Sequence, residues 1–113
     1  MKIKLNNLER ISLAGILPKE ENYLTFKIIT ELKLELSFTE SEFKKYGIQN
    51  LPGNKVGWSK DGMKEIDIPE TIKEMICIKL IALEKEKKIN ADNISLYERF
   101  ILNKSIKRIS RKK

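Results

Sequence analysis

The sequence predicts an α+β fold that is mainly α, with about five helices and one β-hairpin. These form a single domain over residues 1–103, followed by a basic tail over 104–113. Three observations lead there. Two segments open with the reciprocal N-terminal signature of a helix, Asn6 with Glu9 and Thr39 with Glu42. Apolar residues recur at helical spacing between Leu24 and Leu36 and again between Met75 and Leu83. Residues 48–68 instead read as extended chain, broken by Pro52-Gly53-Asn54 and Lys60-Asp61-Gly62.

Along the chain, Lys2, Ile3, Lys4 and Leu5 alternate charged and apolar side chains, which suits a short strand or an extended lead-in. Asn6 as N-cap starts a helix over about 7–17, which Pro18 ends. Residues 19–23 form a loop. The next helix runs from Leu24 to Leu36, with Ile28, Ile29, Leu32 and Leu36 on one side and Lys27 and Glu31 as an outward i,i+4 pair. A strand competes there, because β-branched residues crowd 25–30 and Leu32, Leu34 and Leu36 alternate with charges.

A short helix over 40–46 has the most complete signals. Thr39 and Glu42 make the capping box, while Phe38 and Phe43 occupy the staple positions on either side of it. Gly47 supplies a left-handed residue after the last turn, and Ile48 closes a Schellman-type contact. For the extended stretch a three-residue loop is chosen, with Gly62 as a left-handed bulge residue. It pairs Ser59 with Met63 and Val56 with Ile66, so that Val56, Trp58, Ile66 and Ile68 share one face. Pro69 then opens a helix whose segment Met75–Leu83 carries one charge, Lys79, and is expected to be central and covered on most sides. A last helix starts near Asp92–Ser95 and includes Leu96, Tyr97, Phe100 and Ile101.

Composition narrows the function classes. The chain has 113 residues, no histidine and one cysteine. At this size a single domain buries a core without metals or disulfides. Without histidine the commonest general base, the serine and cysteine triads and most zinc sites are missing, so neither an enzyme nor a cofactor is expected. Cys77, inside the most apolar helix, reads as a buried, inert thiol. The glycines fit no phosphate-binding loop, and Glu20-Glu21 and Glu40/Glu42 read as surface and cap residues. Trp58 reads as an aromatic covering the core, with base stacking as the alternative if its ring is exposed. The N-terminus lacks the apolar region of a secretory signal, and no apolar run is long enough to span a bilayer. The expectation is a soluble protein of the bacterial cytoplasm.

The net charge of +7 is unevenly placed. Residues 1–37 sum to +1, residues 38–68 and 69–103 each sum to zero, and residues 104–113 carry +6. The body is near neutral. Nineteen of the 23 basic residues are lysine, and isoleucine outnumbers valine 17 to 1, a bias that an AT-rich genome produces without selection for a cationic surface. The tail residues Lys104, Lys107, Arg108, Arg111, Lys112 and Lys113 are therefore the candidate sites for a phosphate or an acidic partner. If the last helix continues through them, Leu102, Ile106 and Ile109 form a second apolar stripe facing a partner, half a turn from the stripe before it. The alternatives are a helix that breaks near Asn103 and a frayed, solvated terminus.

The order of elements is winged-helix-like, in which the second helix of a helix-turn-helix pair enters the major groove and the hairpin touches the backbone. Lys44, Lys45, Lys60 and Lys64 would form the nucleic-acid face. Glu40 and Glu42 stand where a DNA reader needs neutral or basic side chains, and the reading helix has no arginine to grip guanine. The first expectation is therefore a non-catalytic accessory protein that binds another protein or itself. A winged-helix-like nucleic-acid-binding regulator anchored by the tail is the alternative.

The stretches ILPKEENYLTFKIITELKLELSFTESEFKKYGI (16–48) and ISLYERFI (94–101) resemble small uncharacterised proteins of AT-rich Gram-positive bacteria and of their phages and prophages. The resemblance covers less than half of the chain. It implies a phage or prophage setting, hence a regulatory, assembly or host-interaction role, and assigns no functional residue.

Overall fold

A computed structural model describes residues 1–103. Five helices hold about 52% of these residues and strands 16%, so the fold is α+β and mainly α. The elements run β1 (Lys2–Asn6), α1 (Asn7–Ile16), α2 (Tyr23–Leu36), α3 (Glu40–Tyr46), β2 (Gln49–Leu51), β3 (Lys55–Gly57), β4 (Met63–Asp67), α4 (Glu70–Lys85) and α5 (Ile94–Phe100).

The local start and stop signals act as read. The Asn6 side chain accepts from the Glu9 amide while the Glu9 carboxylate accepts from the Asn6 amide, and Thr39 and Glu42 do the same for α3. Phe38 and Phe43 meet edge to face at 6.4 Å. Gly47 takes φ +64°, and the Ile48 amide donates to the Phe43 carbonyl at 3.0 Å, closing the Schellman motif. The competition over residues 24–36 resolves as helix. Asn22 caps it by accepting from the Thr25 amide, and Ile29, Leu32 and Leu36 are buried on one side, whereas Ile28, expected with them, is exposed at its edge.

Strand pairing departs from expectation. Val56 does not pair with Ile66, and Ser59 does not pair with Met63. β4 instead pairs antiparallel with β1, placing Ile3 opposite Ile66, Lys4 opposite Glu65 and Lys2 opposite Asp67. This register buries Ile3, Leu5 and Ile66 on the inner face and sets opposite charges side by side on the outer one. All five residues of β1 are paired. β3 turns back on β2 through Pro52-Gly53-Asn54, with Gly53 and Asn54 in the left-handed region, and Val56 lies opposite Asn50. The three-residue hairpin loop expected at Lys60-Asp61-Gly62 is therefore absent, and the hairpin turn lies at residues 52–54 instead.

The Lys60-Asp61-Gly62 segment has a different task. The Asp61 carboxylate accepts from the Asn7 amide at 3.0 Å, adding a negative charge at the start of α1, and the Asn7 side chain donates to the Lys60 carbonyl. Gly62 is not left-handed. A Cβ there would lie 2.2 Å from the ring of Tyr46, so glycine is present for close approach.

The core runs from Ile3, Leu5 and Ile66 through Leu13 of α1 and Ile29, Leu32 and Leu36 of α2 to Ile72, Ile76 and Leu80 of α4 and Leu96 and Phe100 of α5. One further expectation fails here. α4 is not covered on most sides: Ile72, Ile76 and Leu80 are buried, whereas Ile78 and Ile81 on the far side are exposed. Of the alternatives open for the last helix, the break near Asn103 is the one seen among the described residues. α5 ends at Phe100, with the Ile101 and Leu102 amides donating back to the Tyr97 carbonyl, and Asn103 takes φ +55°. Leu102 is exposed.

Candidate functional site

Two adjacent residues of α1 organise the interior. Arg10 is 1% exposed yet fully engaged. Its Nε donates to the Leu36 carbonyl at 3.1 Å, Nη2 to the Ser37 carbonyl at 2.6 Å, and Nη1 and Nη2 to the Glu42 carboxylate at 3.1 and 3.2 Å. The guanidinium also stacks on Phe38, 4.0 Å from the ring centroid. Only a planar fork reaches the last turn of α2, the 37–39 connection and the first turn of α3 together. Hydrogen bonding from Arg10 holds the Glu42 carboxyl below the usual glutamate value, against the opposing effect of its partial burial.

One residue earlier, Glu9 points a different way. Its carboxylate accepts from Arg99 at 2.9 Å and from the Ser95 hydroxyl of α5, while Arg99 also donates to the Lys4 carbonyl of β1. The α2–α3 turn and α5 are thus fastened to α1 by two ion pairs in the interior. Sequence patterning placed Glu9 and Glu42 in the helix caps and missed their ion pairs with Arg99 and Arg10. A signal was present: with 19 lysines and four arginines, arginine is rare here, and the two arginines of the described residues, Arg10 and Arg99, both take part in these pairs.

Among the described residues one interior side-chain atom, Asn7 Oδ1, is buried without a hydrogen-bond partner, and the candidate binding features lie on outer faces. On α2 the side of the helix away from the core carries Tyr23 (75% exposed), Leu24 (71%) and Leu34 (69%), interleaved with exposed Lys27, Thr30 and Glu31. Ile28 and Leu32, with Glu31, Glu35, Asp67 and Pro69, line an open groove along its edge. On α4 the exposed side carries Ile78 (68%) and Ile81.

The basic residues expected to form a nucleic-acid face divide. Lys44 and Lys45 are exposed on α3, with the Lys45 ammonium 5.7 Å above the Tyr46 ring. Lys60 comes beside them, because its amide donates to the Tyr46 carbonyl. Lys64 does not join this group. It is half-buried, and its ammonium donates to the Glu35 carbonyl at the end of α2. Three of the four therefore gather around the end of α3, and Glu40 is exposed on the same helix. Lys104, Lys107, Arg108, Arg111, Lys112 and Lys113, with Ile106 and Ile109 of the expected apolar stripe, lie outside the described residues.

Trp58 does not share a face with Ile66. It is half-buried and separates two shallow grooves, one against Leu8, Ile11 and Val56 and one against Gly47, Leu51 and Gly57. Cys77 is half-buried rather than enclosed. Its thiol donates to the Phe100 carbonyl at 3.8 Å, and burial pushes its pKa up. Among the described residues no group of histidine, cysteine and carboxylate side chains could hold a metal ion, and no helix is long and apolar enough to cross a membrane. No protein-family model matches the chain, and neither a curated protein nor a solved structure shows significant similarity to it.

Proposed function

We propose that this chain is a non-catalytic accessory protein that works by binding another protein chain through the outer face of α2. The reading places it in the bacterial cytoplasm, in the phage or prophage setting that its resemblance implies. One observation carries it. Tyr23, Leu24 and Leu34 are each more than two-thirds exposed on one helix, whereas Leu51 and Leu102, the other exposed leucines among the described residues, are less than half exposed. Large apolar side chains grouped on a surface, rimmed by charge, mark interaction sites. Tyrosine adds contact area at low entropic cost. The test compares proteins co-purified from the host by the tagged full chain and by a Tyr23→Asp/Leu34→Asp variant of unchanged circular dichroism. Bands lost selectively by the variant support the reading; identical bands from both refute it.

A second reading is favoured by the sequence of α2, a three-residue turn, α3 and the β2–β3 hairpin, with Lys44, Lys45 and Lys60 together at the end of α3. In this reading the body binds nucleic acid as a winged helix does. Fluorescence anisotropy with labelled duplex DNA across a salt series separates the two. Salt-sensitive binding that Lys44→Ala/Lys45→Ala abolishes favours the second reading. Binding that the substitutions leave intact removes Lys44 and Lys45 from the contact and counts against the second reading.

A further inference from the structure

We infer that the partner of the α2 face is a second copy of this chain, packed antiparallel across a two-fold axis near the middle of α2. The inference rests on the reading of α2 as a binding face and names its occupant.

Tyr23, Lys27, Thr30 and Leu34 follow one another at spacings of four, three and four. At about 100° per residue they fall within an arc of about 60°, the seam along which two helices pair. All four are exposed. The Thr30 hydroxyl donates to the Phe26 carbonyl of its own helix at 2.9 Å, so its hydrogen-bonding need is met without a partner and its methyl is free to pack. Lys27 and Glu31 take part in none of the ion pairs among the described residues, although they stand one turn apart.

An isologous interface must be complementary to itself. Antiparallel pairing about the centre of α2 sets Tyr23 against Leu34 of the second copy, and Lys27 against Thr30 and Glu31. Both ends of the seam become apolar contacts, and each lysine gains a carboxylate. The reverse arrangement, parallel pairing in register, sets Lys27 against Lys27 and is repelled. Charge complementarity therefore selects both the occupant and its direction. At a length of about 21 Å, α2 alone makes a contact at the small end of specific interfaces, so the dimer forms in the micromolar range rather than below it.

Sedimentation equilibrium of the full chain between about 10 and 500 μM tests this. The mass rises with concentration from 13.2 kDa towards twice that value. The Lys27→Glu substitution faces Glu31 of the second copy with a like charge across the axis, and Glu31→Lys does the same to Lys27. Each raises the dissociation constant about tenfold, because two symmetric attractions become repulsions. An equimolar mixture of the two variants restores the wild-type constant in trans, which no effect within a chain can do. A mass of 13.2 kDa at every concentration overturns the inference. So does a dimer whose constant neither variant changes, or one that the mixture fails to rescue. If the chain stays monomeric while the Tyr23→Asp/Leu34→Asp variant still loses co-purified proteins, self-association fails and the binding reading stands.

Discussion

Replacing Arg10 by alanine removes the donors to the Leu36 and Ser37 carbonyls and to both oxygens of Glu42, and leaves Phe38 without its stacked guanidinium. Removing one member of a buried ion pair destabilises by about 3–5 kcal/mol. Glu42 is 17% exposed and can be partly hydrated once orphaned, which favours the lower half of that range. The two carbonyls close the last turn of α2 and the connection to α3, and each hydrogen bond to a charged group contributes about 1.5–3 kcal/mol, not additively. About 3–4 kcal/mol is the resulting estimate, against a total of about 6–17 kcal/mol for a domain of this size. Urea unfolding followed by circular dichroism should show the midpoint falling with little change in slope. The melting temperature should fall by more than about 10 °C. Arg10→Lys is the sharper variant. One ammonium at the end of a flexible stem cannot serve the Leu36 carbonyl, the Ser37 carbonyl and both carboxylate oxygens together, so lysine should recover less than half of the loss. If Arg10→Lys is as stable as the wild type, or Arg10→Ala loses less than about 1 kcal/mol, the assignment of the α2–α3 geometry to the guanidinium is wrong.

The same ion pair fixes a pH dependence. Arg10 holds the folded Glu42 carboxyl below its ordinary value of 4.5, so this contribution is present above 4.5 and is lost as pH falls through the depressed folded value. Urea titrations from pH 7 to pH 3 should show the wild type losing more stability than Glu42→Gln over the acid part of that range; parallel curves would remove Glu42 from the account. Gly15→Ala, in a helix and with nothing within 4 Å of the added methyl, should raise stability by about 0.5–1 kcal/mol in the same assay. Gly62→Ala must displace the Tyr46 ring and should lower it by about 1–3 kcal/mol, so equal effects at the two glycines would contradict the packing described for Tyr46.

Features controlled by residues close in sequence were legible. The two capping boxes, the Gly47 stop and the burial stripe of α2 depend on neighbours within one or two turns, and each is encoded where it acts. The partner of β4 was not found, although its information is also in the chain. Lys2-Ile3-Lys4 reads against Asp67-Ile66-Glu65 with charge opposite charge and isoleucine opposite isoleucine. Most of the domain separates the two strands in sequence, and local turn logic offers a competing partner only a few residues away. The turn residues themselves misled for a related reason: an Asp-Gly pair fits a hairpin, but here Asp61 caps α1 and Gly62 makes room for Tyr46. α4 was read as covered because apolar residues surround it, yet composition reports how apolar a helix is and not how many neighbours it has. The exposed Ile78 is the consequence. On α2, Lys27 and Glu31 were correctly placed outward, whereas the exposure of Tyr23, Leu24 and Leu34 around them depends on which elements pack elsewhere.

The placement of polar and apolar groups in this domain is partly inverted, and the two inversions belong together. Arg10 and Glu9 occupy interior positions where leucine would give comparable stability without desolvating a charge, since buried ion pairs rarely outperform apolar packing of the same volume. What apolar side chains cannot supply is direction. The guanidinium accepts one arrangement of the end of α2, the turn and the start of α3, because four hydrogen bonds must be met at once. Tyr23, Leu24 and Leu34 stand on the same helix whose far end is held in this way. A face that must meet a partner benefits from being fixed before contact, since ordering it on binding would subtract from the affinity. Arg10→Ala should therefore weaken any α2-mediated association by more than its distance from that face suggests, even under conditions where the variant remains folded.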